Sequence, residues 1–346
     1  MVPVSQTEPI TVRADPPTVL DVPPAHLELV WRPLQAKDAP AVFTLIESIE
    51  SADKAPQRHS ADEIVEMFEG SWKDLEADTL GGFDHAGVLR AYAFVEVRPG
   101  DSTTVRAFLT GGVDPSWRGR GLGRAVLAWM EGRGRQKLAE SGKDLPARLA
   151  TYVDEQARDQ RRLYAAAGFS PIRWYTDMRR DLSLELPDLR PPSGVRVVPW
   201  SQELDEAVRL AHNEAFADHW GSEPHSAEAW RHDVHFAPAW SFVALDSSAS
   251  AEPAVVGYLL SGKYPQDWAV QGYTCGYTNL LGVRADWRGK GLAGALLVRA
   301  MRAYRRSRME FACLGVDTAN PTGAHGLYAQ LGYEPTHGSV LYSVEL

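Results

Sequence analysis

Apolar residues recur along this chain at two spacings, every third or fourth position in some stretches and every second in others, and the stretches come in the same order twice. In the N-terminal half, APAVFTLIESIE (39–50) carries helical spacing. GVLRAYAFVEVR (87–98) alternates like a strand, and RAFLTGGV (106–113) is a short apolar strand ending in glycines. GRAVLAWMEGRGRQKLAE (123–140) predicts a long helix, LATYV (149–153) a strand, DQRRLYAAAG (159–168) a short helix stopped by Gly168, and WYTDMRRDL (174–182) a last strand. The C-terminal half repeats the layout. A helix near Leu204 to Ala217 is followed by strands at 241–245, 254–262 and 277–283, a helix from Leu292, a strand at 312–316, a helix at 323–332 and a final strand at 339–346. Each half reads as a mixed, mostly antiparallel sheet flanked by helices, an α/β (α+β) fold.

The repetition extends to residue identity. VDPSWRGRGLGRAVL (113–127) matches VRADWRGKGLAGALL (283–297) at eight of fifteen positions, and LYAAAGFSP (163–171) matches LYAQLGYEP (327–335) at five of nine. Two blocks in the same order indicate a duplicated domain, and a period this long gives each copy its own core. Pro187, Pro191 and Pro192 forbid a helix between the copies. The organisation expected is an N-terminal arm over 1–25, a first domain over 26–181, a linker over 182–193 and a second domain over 194–346.

Composition narrows the function. At 44% hydrophobic and 23% charged residues the 346-residue chain is ordinarily globular, and no apolar run is long enough to span a membrane. A net charge of -9 speaks against nucleic acid as a partner. The start of the chain lacks the pattern of a signal peptide, and two cysteines, Cys275 and Cys313, fit a reducing cytoplasmic setting. Five histidines cluster between His212 and His235, yet none forms an HExxH pair, so no metal site is expected.

Each copy places an Arg-Gly-basic-Gly-Leu turn between an apolar strand and a long helix: Arg118, Gly119, Arg120, Gly121, Leu122 and then Gly123 in the first, Arg288, Gly289, Lys290, Gly291, Leu292, then Ala293 and Gly294 in the second. Glycine lets backbone N–H groups turn inward, and the N-terminus of a helix is a cradle for phosphate. A P-loop would need Ser or Thr after its Lys, and a dinucleotide fingerprint would follow the first strand of a parallel unit; neither pattern is present.

The V-x-x-x-W-R-G-x-G-L run with a downstream L-Y-x-x-x-G-[FY] resembles the coenzyme-binding and acid motifs of the GNAT N-acetyltransferase superfamily, in a tandem-domain arrangement similar to that of the mycothiol synthases. The resemblance implies two tandem GNAT-like domains and acetyl-coenzyme A held by the backbone of both turns. Strand ends at Gly112 and Val113, and at Leu281, Gly282 and Val283, would pair with the pantetheine arm. Tyr328 would be the general acid for the departing thiolate, and Asn320 would start a second coenzyme-binding helix. The first copy has Tyr164 at the acid position but Gln156 where Asn320 is expected, which makes the second copy the better candidate for catalysis, with two active sites as the alternative. The resemblance also implies an acidic residue near Tyr277, and the sequence around Tyr277 has none.

Acyl transfer to an amine further needs a proton acceptor and an acceptor pocket. HNEAFADHWGSEPH (212–225) offers Glu214, Asp218 and His219 for the first, and its mix of Asp, His and Trp suits a cationic amine. Tyr277 and Asn279 face the same cleft if the strand alternates. The reading is an acetyl-coenzyme A dependent N-acetyltransferase acting by direct attack of a small-molecule primary amine, as a monomer or homodimer. A non-catalytic acyl-coenzyme A sensor and a protein or peptide N-acetyltransferase are the alternatives.

Overall fold

The computed structural model describes residues 8–24, 27–248, 253–319 and 324–346. The chain forms two compact units, Met1–Arg173 together with Ser339–Leu346, and Trp174–Gly338.

In the first unit, helices α1 (Ile10–Arg13), α2 (Ala39–Asp53), α3 (Ala61–Glu66), α4 (Leu75–Asp78), α5 (Leu122–Glu140) and α6 (Arg158–Ala166) accompany strands β1 (Val30–Arg32), β2 (Thr79–Phe83), β3 (Leu89–Val97), β4 (Val105–Val113) and β5 (Ala147–Asp154). Ser60 starts α3 with a capping box: its hydroxyl accepts from the Glu63 amide at 3.2 Å and the Glu63 carboxylate accepts from the Ser60 amide at 2.7 Å. Strands β1 to β4 run antiparallel in sequence order, and β5 lies parallel to β4. Leu122, Val126, Trp129 and Met130 of α5 bury against Val105, Ala107 and Leu109 of β4, and α2 with Phe68 and Phe94 builds a separate apolar cluster.

The second unit repeats the frame with β7 (Val195–Pro199), β8 (Phe242–Asp246), β9 (Ala254–Gly262), β10 (Cys275–Val283) and β11 (Phe311–Asp317), and with helices α7 (Asp205–Ala215), α8 (Pro265–Gln271), α9 (Leu292–Arg306) and α10 (Ala324–Gln330). Strands β7 to β10 are antiparallel in sequence order, and β11 is parallel to β10.

The sixth strand of each sheet comes from the other repeat. Strand β6 (Ser170–Asp181), which closes the first repeat in sequence, pairs antiparallel with β11 from Phe311↔Asp181 to Asp317↔Tyr175. Strand β12 (Glu334–Glu345), which closes the second, pairs with β5 from Ser339↔Asp154 to Glu345↔Arg148. Both strands form where alternation predicts them. Equivalent strands offer equivalent edges, which is what permits an exchange between duplicated frames.

Two buried aromatic contacts hold the second unit's central strand. Helix α9 sends Tyr304 over β10, where its hydroxyl meets Ser261 Oγ at 2.7 Å and Thr278 Oγ1 at 3.2 Å. The ring occupies the space a Cβ would take at Gly276, 2.3 Å from the nearest ring atom. On the other side, His212 of α7 meets the Tyr258 hydroxyl at 2.5 Å and stacks on Phe216 with ring centres 4.6 Å apart. Burial, aided by His225 and His219, pushes the His212 pKa down to about 4.

Gly276→Ala is expected to lower stability by about 1–3 kcal/mol through overpacking against Tyr304, read as a lower urea midpoint. The neutral His212 gives an acid-dependent contribution of defined sign. With an unfolded value of 6.5 and a folded value of about 4, the unfolded chain takes up the extra proton between these limits. Stability from this group is therefore complete above pH 6.5 and falls by about 1.4 kcal/mol per pH unit towards pH 4. Urea melts of wild type and His212→Gln at pH 7 and 4.5 check this: the variant is expected to lose less stability between the two.

Candidate active site

Both glycine turns adopt the conformation that their sequence demands. Gly119 and Gly121 have φ of 78° and 92°, Gly289 and Gly291 of 72° and 79°, in the left-handed region where a side chain is strained. Gly121 and Gly291 are the N-caps of α5 and α9, and no side chain caps either helix. The first-turn amides therefore remain directed out of the helix, and a Cβ placed at Gly119, Gly289 or Gly291 would meet nothing within 4 Å. This is a cradle that fits an anion such as the pyrophosphate of coenzyme A.

The arginines of the motif brace the turns. Arg288 Nη2 donates to the Ala215 carbonyl at 2.6 Å and Nε to the Val283 carbonyl at 3.3 Å. Arg118 Nε donates likewise to Val113 at 3.3 Å, and its guanidinium grips Asp53. Lys290 and Arg120 lie over Trp287 and Trp117, 4.7 and 4.6 Å from the ring centres. Leu292 is buried at the start of α9, and Gly294 lets Leu189 pack onto that first turn.

Next to each turn the sheet splits. Strand β10 stays paired with β11 only from Cys275↔Phe311 to Thr278↔Leu314, so Leu281, Gly282 and Val283 run on past the last pair. Gly112 and Val113 do the same past Phe108↔Ala150. Tyr258 and Tyr92, opposite Gly282 and Gly112 across the strand pair, fill the space above each glycine. The two splits differ in one respect. Strand β10 carries a bulge against β9 between Thr278 and Leu280, whereas β4 pairs evenly with β3. Bulges re-aim side chains, and here Asn279 accepts a hydrogen bond from the Tyr264 hydroxyl at 3.1 Å.

Tyr328 of α10 belongs to the buried cluster that contains Ala312, Leu314 and Val316 of β11, with its ring 5.8 Å from Tyr333. Burial pushes its pKa up to about 12, which keeps the proton on the phenol. Tyr164 repeats the arrangement 5.5 Å from Phe169, and burial again raises its pKa, a rise that Thr151 of β5 opposes. Counting back from the Val-Asp pair that ends each strand, Thr151 stands where the second copy has Leu314, and Tyr152 where it has Gly315. Asn320 lies outside the described residues.

The residues expected on the acceptor side take different places. Glu214, at the end of α7, is exposed and pairs with Arg284 at 2.9 Å. Asp218 is exposed, and His219 Nδ1 lies 3.1 Å from the Trp220 carbonyl. His212, His225 and His232 are held in an aromatic cluster: His225 and Trp230 both have ring centres 5.1 Å from that of His212, and His232 stacks on Phe236 at 4.0 Å and bonds to Asp205 at 2.8 Å, while His235 lies against Tyr264. Among the described residues no three His, Cys, Asp or Glu side chains come together as metal ligands.

Tyr277 does have an acidic neighbour, and it arrives from the exchanged strand. The Tyr277 hydroxyl donates to Asp177 Oδ1 of β6 at 3.1 Å. Tyr264 packs edge-on against Tyr277 with ring centres 5.7 Å apart. A Cβ at Gly315 would fall 3.0 Å from the Tyr277 hydroxyl and 3.3 Å from Asp177 Oδ1, so the glycine makes room for the pair. Nothing near Tyr277 in sequence signals Asp177, because 100 residues separate them.

Comparison with known proteins agrees with this geometry. Residues 205–333 match the model of the acetyltransferase (GNAT) family. The chain is similar to the mycothiol acetyltransferase of Nocardia farcinica, 29% identical over 90% of this chain and 95% of that protein. It is 32% identical to the mycothiol acetyltransferase of Thermobispora bispora, over 66% of this chain and 73% of that one. Among solved structures, the GCN5-related N-acetyltransferase from Sphaerobacter thermophilus superposes with a TM-score of 0.68 at 26% identity, covering 94% of this chain and 97% of that one. On these similarities the chain belongs to the GNAT acetyltransferase family and is an acetyl-coenzyme A dependent N-acetyltransferase.

Proposed function

We propose that the second unit transfers the acetyl group of acetyl-coenzyme A directly to the primary amine of a small molecule, while the first unit holds coenzyme without chemistry. The observation that carries this reading is a contrast between two frames of the same layout. Among the described residues, β10 of the second has a bulge beside the split where β4 of the first pairs evenly, and the second has Leu314 where the first has Thr151.

In this reading the backbone N–H groups from Arg288 to Gly294 bind the pyrophosphate, and the backbone of Leu281, Gly282 and Val283 pairs with the pantetheine arm. Acetyl-coenzyme A supplies the thioester carbonyl that the amine attacks. The sheet split orients that carbonyl, and orientation of two reactants is a large part of the rate enhancement available here. Glu214, Asp218 and His219 border the acceptor side as candidate proton acceptors. Tyr328 then gives its proton to the sulfur as the C–S bond breaks. A proton shed by the nitrogen, once bonded to carbon, restores the phenol. Starting from the ammonium form of the acceptor, the net change is one amide, one thiol and one proton released to water. The equivalent turn at Arg118 to Gly123, with Gly112 and Val113, has the same backbone geometry and binds coenzyme in the same way. The names of the relatives point to a small-molecule amine as acceptor.

Calorimetric titration of acetyl-coenzyme A is expected to find two sites, one lost in Gly121→Glu and the other in Gly291→Glu, with thiol release from a panel of primary amines abolished by Gly291→Glu. One site lost only with Gly291→Glu would make the first unit a scaffold, and no binding would sink the reading. Tyr328→Phe is expected to lower kcat by about a hundredfold while the affinity for acetyl-coenzyme A holds, the size of a general-acid contribution.

A further inference from the structure

The first pair of residues beyond the sheet split on the β6 side is Gly315↔Asp177, one step past the last β10–β11 pair at Thr278↔Leu314. Directly opposed residues on antiparallel strands share a face. Gly315 and Asp177 therefore share the face that carries Tyr277, while Leu314 and Met178 lie on the opposite face in the cluster that holds Tyr328. An acid and a carboxylate thus stand on the two sides of β11 at the point where the sheet opens.

The first unit has the same frame without this feature. There Tyr152 replaces Gly315, and the residue paired with it on the exchanged strand is the buried Leu341. Tyr152 stacks on Phe108, with ring centres 6.2 Å apart and planes within 6°. Substitution of a large ring by glycine and of an aliphatic side chain by a carboxylate cuts a polar notch into one sheet and leaves the other closed.

The notch holds one carboxyl group, which an ammonium in contact with it would hold ionised. Asp177 is half-buried, which raises its pKa, while the Tyr277 hydroxyl and the charge of His337 oppose that rise. The nearest arginine on the same strand face, Arg179, is stacked against Tyr273 and Phe311, 4.8 Å from each ring centre. Tyr264 and Tyr277 supply an aromatic wall, and cations favour such faces.

We propose that Asp177, fixed by Tyr277 and made accessible by Gly315, is the carboxylate that receives the acceptor's primary ammonium at the sheet split. The proposal rests on the reading of that split as the site of acetyl transfer. It makes the substrate class one of primary alkylammonium compounds and assigns their recognition to the strand contributed by the first repeat.

Two coenzyme A thioethers of equal size test it: S-(2-aminoethyl)-coenzyme A, which places a primary ammonium beside the sulfur, and the neutral S-propyl-coenzyme A. Wild type is expected to bind the ammonium analogue about tenfold to a hundredfold more tightly at the Gly291 turn, measured in the Gly121→Glu background so that one site is read. Asp177→Asn is expected to erase the preference while S-propyl-coenzyme A binds as before. Tyr277→Phe, which keeps the ring and so guards against a misfolded Asp177 variant, is expected to reduce the preference about threefold. A preference that survives Asp177→Asn, or that wild type never shows, overturns the proposal with the coenzyme reading intact. Failure of wild type to bind either thioether overturns the coenzyme reading and the proposal with it.

Discussion

A parallel strand pair that stops pairing halfway leaves backbone N–H and C=O groups in the middle of a sheet, where burial without a partner is costly. In the second unit this happens after Thr278↔Leu314, and the rest of the site is arranged around it. Helix α9 starts at the far end of the opened strand with uncapped amides, Tyr304 pins the strand from one face, and the bulge at Asn279 turns the other face towards Tyr264. In the reading proposed above, an extended ligand arm with amide groups and a terminal pyrophosphate would answer both needs, completing the ladder and capping the helix.

The glycine turns were legible in the sequence because their backbone leaves no alternative: positive φ at two positions two residues apart, directly before a helix, is a demand that sequence records. Strands and long helices were legible through periodicity, and Tyr328 through the motif that surrounds it. What periodicity does not encode is which strand an edge will choose. Strands WYTDMRRDL and SVLYSVEL form as alternation predicts, yet each completes a sheet begun by the other repeat. For the same reason the acidic partner of Tyr277 was invisible near Tyr277 and present at Asp177. Glu214 illustrates the converse. It looks poised at the end of a helix, and in the structure it is held by Arg284, whose own position depends on the turn after β10. His225 and His232 share an aromatic cluster with His212 and Trp230, an arrangement that composition cannot distinguish from catalysis.

Duplication here has kept the frame and changed its fittings. Tyrosine over glycine at the strand end, an arginine bracing each turn and a basic side chain over a tryptophan recur in both copies with nearly the same distances. The differences gather where the sheet opens: Thr151 against Leu314, Tyr152 against Gly315, Leu341 against Asp177. Residues that hold the frame are constrained by geometry in both units, whereas residues at the opening are constrained only where something passes through it.

The exchanged strands bear on inheritance. A gene cut at the proline-rich linker would deliver two fragments that each carry a complete repeat in sequence and an incomplete sheet in space, since β11 would lose β6 and β5 would lose β12. Neither repeat can be passed on, lost or recombined as a module along that boundary. In the reading proposed for Asp177, selection on what the second unit accepts acts on codons of the first repeat, and the two halves evolve as one gene.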